Sequence, residues 1–454
     1  MIRKLAILPI RIAKIAVRKA LVLLGIEPAY VKALIKTPAE VHGGPKARRF
    51  PWPSRKLFGR AEKKVVVGLM NREIQQGNAL IYGGPEESAY CVAFVDYMGG
   101  GYADAVNSGT NAVYLALRAL DLEPFTEVIV PPVTDPGGSM PVALLNCVPV
   151  PADTAPGSLN CSVEQIEAVL TERTSAIMVA HLAGHPVDMD PIIELARAHS
   201  IPIVEDCAQA HGARYKGQLV GTMGDVAAFS TMYGKHHATG AQGGIVYTRD
   251  PSIFVRAKQA ADRGKPFGAV VSKPQYVTAS LNFNQDELSM AIGRVQLEKL
   301  PRALVRRRVF AQTVAAGLKE VEGLKMVEEL PDTESVHWFL MIQLDEEKLS
   351  CSNAEFANAL EIEGIGGTSG GYPFFPTDHP WYTDRMVFGS SDFPWANTDR
   401  PDLGRKPFEF PNARAANRQC VRVDVHENLG LQEAADLVSA IKKLVRFFSE
   451  DGKA

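Results

Sequence analysis

From about residue 100 the chain alternates short apolar, β-branched runs with stretches in which apolar positions recur every three to four residues. "TEVIVPPV" (126–133), "TSAIMVAHL" (174–182), "IPIVEDCAQ" (201–209) and "DVAAFS" (225–230) read as strands, while "CSVEQIEAVL" (161–170) and "DPIIELARAHS" (190–200) read as helices. Ser162 should open the first of these helices, with Glu164 and Gln165 at capping-box distance. The continuous apolarity of the strands, with helices between them, is the pattern of right-handed βαβ units around a mostly parallel sheet buried on both faces. The fold class is therefore α/β, with ligands expected at the strands' carboxyl ends.

A long helix is predicted within 284–318, "NQDELSMAIGRVQLEKLPRALVRRRVFAQTVAAGL", bent at Pro301 and capped by Asn282 or Asn284. After about residue 320 the pattern changes. "VHWFLMIQL" and "QCVRVDVHENL" read as strands, "NAEFANALEIEG" and "LQEAADLVSAIKKLVRFF" as helices, together a smaller α+β unit. Between them an aromatic, proline-rich stretch (370–413) has little periodicity, as functional loops often do.

The first 30 residues carry Arg3, Lys4, Arg11, Lys14, Arg18 and Lys19 and no acid before Glu27. At about 100° per residue the basic positions share roughly half of a helical wheel, interrupted by Pro9 and interleaved with Ile7, Ile15 and Val22. Two readings stay open: a helix attracted to anionic lipid through residues 1–25, or one docked on the protein's own surface. A connector rich in Pro, Gly and basic residues follows (37–56). The expected organisation is an extension and linker (1–50), a large domain (51–310) and a small C-terminal domain (311–454).

At 454 residues, 46% hydrophobic and 22% charged, the chain has a soluble protein's composition and room for two domains. A net charge of -2 gives no general case for nucleic-acid binding. The six cysteines show no C-x-x-C spacing, so neither a zinc site nor a disulfide framework is written in them, and a reducing cytoplasm is expected. No apolar run reaches the roughly 18 residues a membrane-spanning helix needs, and no signal-peptide cleavage pattern is visible.

Four pieces carry candidate chemistry. In "AVNSGTNAVYLALRAL", Gly109 and Thr110 open a helix whose N-terminal amides suit a phosphate, although Ser-Gly-Thr is also an ordinary N-cap. Glu205 and Asp206 end an apolar strand, where a carboxylate is costly to desolvate without a cation or proton donor: a structural arginine, or the protonated nitrogen of a bound heterocycle. Lys235 stands between a buried-looking strand and a glycine-rich exit. It is either a turn lysine in solvent or a desolvated amine able to form a Schiff base with an aldehyde. Asn282 and Asn284 sit before the long helix. A phosphate cradle, a buried acid and a buried lysine are together what pyridoxal phosphate requires, and no metal site is expected.

The stretches "SGTNAVYLALRALDLEPFTEVIVPP", "HLAGHPVDMDPIIELARAHSIPIVEDCAQAHGARYKGQLVGTMGDVAAFS" and "LSMAIGRVQLEKL" resemble the DegT/StrS family of sugar aminotransferases, among the aspartate aminotransferase-like, fold-type I pyridoxal phosphate enzymes. The resemblance runs from about residue 51 to the C-terminus. It implies a large domain with a mostly parallel, seven-stranded type of sheet and a smaller α+β domain. It also implies a cytoplasmic homodimer with shared active sites, working in nucleotide-sugar and polysaccharide biosynthesis.

By that resemblance Lys235 holds the cofactor's aldehyde and later moves the substrate's proton. Asp206 meets the ring nitrogen, Gln209 the phenolic oxygen, and Gly109, Thr110 and Ser230 the phosphate, with Asn282 reaching a neighbouring subunit's phosphate. The implied reaction carries an amino group from glutamate or glutamine to a keto group on a nucleotide-linked sugar or cyclitol. A cofactor-dependent sugar dehydratase and a non-catalytic regulatory protein on the same fold are the alternatives. Departures from the family pattern cluster around the substrate: Asp135 stands where an aromatic usually stacks on the ring, leaving another residue, a histidine among the candidates, to cover it. His236, Gln242 and Asn284 also depart. His181, His185 and His211, near strand ends, are read equally as substrate contacts or as structural histidines.

Overall fold

The computed structural model describes residues 44–267, 275–397 and 408–449. The basic segment at 1–30 and the expectation placed on it lie outside the described residues. So does the first part of the connector.

The apolar runs become seven strands: β1 (Tyr102–Val106), β2 (Glu127–Val130), β3 (Val148–Pro151), β4 (Thr174–Ala180), β5 (Ile203–Asp206), β6 (Val226–Ser230) and β7 (Gly244–Thr248). They pair in the order β1-β7-β6-β5-β4-β2-β3. Only β7 runs against its neighbours; β6, β5, β4, β2 and β3 pair in parallel. Side chains alternate across the pleat, so each strand serves two cores. Val128, Val130, Met178, Val204 and Ala228 face one core with residues of α3 (Gly109–Ala119). On the other face Ala105, Phe229 and Tyr247 meet α2 (Pro85–Met98) and α6 (Glu287–Leu318), whereas Ile177 and Ile203 meet α4 (Met189–His199).

The long helix α6 links the two halves. Met290, Leu297, Leu300 and Leu304 pack under the large sheet, and Phe310, Ala311, Val314 and Leu318 pack in a second core. Pro301 lies inside it, at the step between these cores, where a missing amide is tolerated. Asp286, rather than either asparagine, caps it, accepting from Ser289 N. The helix predicted from Ser162 is confined to Val163–Glu167, and the Ser162 side chain makes no capping hydrogen bond. Of those five residues only Ile166 is buried, too little packing to extend so short a helix.

The second core lies beneath an antiparallel sheet of β8 (Leu324–Met326), β9 (Phe339–Leu344), β11 (Cys420–Asp424) and β10 (Thr368–Gly370), in that order, covered by α7 (Asn353–Ile362) and α8 (Leu431–Phe448). No helix among the described residues is long and apolar enough to cross a membrane.

Candidate active site

Five strands end on one side of the large sheet, and the loops leaving β1, β2, β4, β5 and β6 carry nearly every residue singled out from sequence. Lys235 lies in the loop after β6, held in a turn by its own amide on Met232 O. It is buried, with 6% of its surface exposed. No hydrogen bond or ion pair reaches its Nζ among the described residues; the Trp338 ring centre lies 4.0 Å away instead. Burial pushes the amine down to about 8, against the pull of Asp206 and Asp135 and with help from the Arg422 charge.

Asp206, the last residue of β5, is also buried. Its single hydrogen bond takes Ala208 N onto Oδ1 at 2.9 Å, and no cation pairs with it among the described residues. Burial raises its pKa; Ala208 N and Lys235 only partly oppose this. The neighbouring Glu205 has the opposite role. Its carboxylate accepts Gly221 N (2.6 Å), Met223 N (2.8 Å), Gly224 N (2.6 Å) and His181 Nε2 (3.1 Å), which makes it a structural anchor. Because His181 Nδ1 accepts Val187 N, its proton sits on Nε2, facing Glu205. His181, Glu205 and Cys207 cluster tightly enough to suggest a metal, but the nitrogen and oxygen donors are already engaged in hydrogen bonds.

Gln209, buried after β5, accepts Ala183 N on Oε1 and donates through Nε2 to the Tyr372 hydroxyl at 3.0 Å. Gly109 begins α3, whose N-cap Ser108 accepts Asn111 N at 3.1 Å. The N-cap reading of Ser-Gly-Thr is thus met by Ser108, while Gly109 lets Ser230 approach the helix closely. A Cβ on Gly109 would stand 2.5 Å from Ser230 Cβ and 2.7 Å from its Oγ, and one on Gly137 would collide with Thr110 Oγ1. Gly109 thus packs directly against the buried Ser230, and Gly137 against Thr110, around the start of α3. Asp135, in place of the expected aromatic, caps the short turn Pro136–Gly138 by accepting Gly137 N at 3.0 Å.

Two predicted groups lie apart from this pocket. Asn282 is exposed on a segment beside the end of β1, its Oδ1 taken by the amide and side chain of Asn284. The histidines form structural contacts. Tyr90 OH meets His237 Nε2 at 2.8 Å, His237 Nδ1 meets His211 Nδ1 at 3.0 Å, and His185 Nδ1 pairs with Ser335 Oγ. Burial keeps His211, His236 and His237 all well below the usual histidine range.

What sequence reasoning missed is the far wall. Trp338, fixed by Nε1–H to Gly234 O at 3.0 Å, joins Phe339, Tyr372 and Arg422 from the smaller sheet region. The only local signal was an aromatic pair opening a strand.

A buried amine without a partner, a buried carboxylate lacking a cation and a helix start that a Cβ on Gly109 would crowd match the aldehyde, ring nitrogen and phosphate of pyridoxal phosphate. Residues 68–442 match the DegT/DnrJ/EryC1/StrS aminotransferase family. The chain belongs to that family. Like its other members it is a pyridoxal phosphate-dependent aminotransferase. The dTDP-3-amino-3,4,6-trideoxy-alpha-D-glucose transaminase of Streptomyces venezuelae is 35% identical over 294 residues, 65% of this chain and 74% of that one. The L-glutamine:2-deoxy-scyllo-inosose aminotransferase of Streptomyces lividus is 31% identical over 426 residues, 89% of this chain and 97% of that one. Among solved structures, an aminotransferase from Psychrobacter cryohalolentis superposes with a TM-score of 0.75 at 28% identity, covering 88% of this chain and 99% of that one. These family relationships agree with the fold.

Proposed function

We propose that this aminotransferase takes its amino group from glutamate or glutamine and delivers it to a keto group on a nucleotide-linked sugar or a cyclitol. The observation that supports the reading is Lys235 Nζ, buried, without a hydrogen-bond or ionic partner among the described residues, and under the pull of the buried Asp206 carboxylate. The relatives' named substrates support the choice of acceptor class.

In this reading Gly109, Thr110 and Ser230 hold the phosphate, Gln209 the phenolic oxygen, Asp206 the ring nitrogen and Lys235 the aldehyde. When bound, the cofactor would supply an electron sink for the electron pair left on the substrate carbon as its proton is removed. Lys235 moves that proton as acid and base, since an amine near 8 gives and takes protons close to neutrality. Asp206, desolvated and ion-paired with no cation among the described residues, keeps the ring nitrogen charged. Trp338 and Tyr372 exclude water from Lys235. The enzyme is proposed to act in the cytoplasm as a homodimer in which exposed Asn282 completes the partner subunit's phosphate site.

Donor alone tests the reading. Holoenzyme mixed with glutamate or glutamine, and no acceptor, should release about one equivalent of the matching 2-oxo acid per site and then stop. A dehydratase or a regulatory protein would release none.

The lowered proton affinity of Lys235 has its own consequence. Apoenzyme should take up cofactor faster as pH rises, because the amine must be free to condense, and the rise should level off above about 8. An ordinary lysine would keep gaining to about 10.4. Stopped-flow reconstitution between pH 6.5 and 10 measures the inflection.

A further inference from the structure

Lys235 sits in the irregular segment between β6 and β7, so the backbone that carries the amine takes its shape from hydrogen bonds to other parts of the chain. Inside the segment Lys235 N donates to Met232 O and Tyr233 N to Ala241 O. The carbonyls around the lysine are taken from outside. Trp338 Nε1 holds Gly234 O at 3.0 Å, and Arg55, from the connector, holds the two carbonyls that bracket the lysine: Nη1 donates to Tyr233 O and Nη2 to His236 O, each at 3.2 Å. The fork has a fixed base. Arg55 Nε meets Glu427 Oε1 at 3.0 Å, and Glu427 Oε2 accepts Arg307 Nη2 from α6 at 3.1 Å. Arg307 is buried in turn, with Nη1 on the carbonyls of His337 and Val425.

Docking of the connector does not account for this contact. Residues 44–54 are seated by other groups: Arg48 pairs with Glu433 and Asp436, Ala47 N donates to Glu363 Oε2 at 2.9 Å, and His426 Nε2 donates to Pro53 O at 3.1 Å. Glu427 keeps Arg307 whether or not Arg55 is present. What is particular to Arg55 is the tie to Tyr233 O and His236 O.

We propose that Arg55 is a positioning residue for Lys235, an assignment that rests on the transaminase reading above. By pinning the carbonyls before and after the lysine, it fixes the direction in which the side chain leaves the backbone. Nζ has no hydrogen-bond partner among the described residues, so the aim of the amine comes from that backbone and from the Trp338 ring 4.0 Å away. A displacement of about 1 Å at a reacting group costs about 10²-fold in rate. Only a planar fork can span two carbonyls and a carboxylate at once. Because Arg55 acts through the backbone, its loss should slow the reactions of the amine and leave substrate affinity alone.

Two rates test the assignment. Uptake of pyridoxal phosphate by apoenzyme, followed by stopped-flow absorbance across the pH range, reads the aim of the amine with no substrate present; single turnovers over a range of glutamate or glutamine concentrations read proton transfer. Arg55→Gln should slow both limiting rates about 10- to 100-fold and leave the donor's apparent Kd within about threefold. The uptake inflection should stay near 8, because Asp206, Asp135 and Arg422, whose charges act on the amine, are untouched. Arg55→Lys keeps a charge for Glu427 but loses the fork, so it should lose about tenfold in the same two rates, and it carries the test if the glutamine variant fails to fold. Arg48→Gln is the control: it loosens the connector without touching the lysine turn, and both rates should stay within about twofold of wild type. Unchanged rates in the Arg55 variants, a loss confined to the donor's Kd, or an equal loss in Arg48→Gln overturns the assignment. A wild-type enzyme that loads cofactor on Lys235 yet converts no donor overturns the transaminase reading instead, and the uptake rates then decide the role of Arg55 by themselves.

Discussion

Lys235→Ala is expected to lower turnover by at least about 10³-fold, with the purified variant holding cofactor only as a free aldehyde that dialysis removes. Two contributions are lost at once. The variant has no amine to hold the aldehyde, and it has no group to carry the proton between carbon atoms, which alone contributes about 10²–10⁴-fold. The surrounding residues do not depend on the amine: Gly109 packs against Ser230, Gly137 against Thr110, and Asp206 is held by Ala208 N. Phosphate affinity should therefore persist, and added primary amines should restore part of the rate. Initial rates with and without methylamine, alongside equilibrium dialysis of the cofactor, measure both. Turnover within tenfold of the wild type would remove Lys235 from the mechanism.

Glu205→Ala should cause a large loss of stability. Glu205 is fully buried and takes four donors, three backbone amides of the turn at 221–224 and His181 Nε2–H. Truncation leaves those donors without an acceptor in a space closed to water, and breaking a buried pair of this kind costs about 3–5 kcal/mol. The same contacts fix a pH dependence. Burial alone would raise the carboxyl's pKa, but His181 and the amides of Gly224 and Gly221 outweigh it and hold the group below its usual range. A depressed folded-state pKa contributes stability that is complete above the unfolded value of about 4.3 and is lost as pH falls through and below it. Denaturant midpoints of wild type and variant should thus differ most near neutrality and converge in acid. A difference below about 1 kcal/mol at pH 7 would contradict the anchoring role.

The contrast between Glu205 and Asp206 shows where sequence reading reaches its limit. Both end one apolar strand, and the open question of an arginine or a heterocycle as partner applied to either. The structure gives Glu205 neither: its partners come from a histidine and a turn folded back from fifteen to twenty residues on, which no local pattern announces. Asp206 is left facing the pocket. The strands, α3, the long helix and Lys235 were legible because their signals are local: unbroken apolarity, a 3.6-residue period and an amine led in by β6. Trp338 and Arg422 were not, because they reach the pocket only through packing of the smaller sheet against the larger one, whereas Tyr372 opens the aromatic stretch already read as a functional loop. The cap at Asp286 was misassigned to asparagines because all are capable cap residues within a few positions, and only backbone geometry selects among them. Of His181, His185 and His211, read equally as substrate contacts or structural histidines, His181 resolves toward structure through the partners of both its ring nitrogens.

The placement of a covalent bond is the most direct test of the central claim. Holoenzyme reduced with borohydride, digested and mapped by mass spectrometry should carry the cofactor's mass on the peptide containing Lys235, at its Nζ and in about one copy per chain. Label on another lysine, or none on a protein that holds cofactor stoichiometrically, would contradict it.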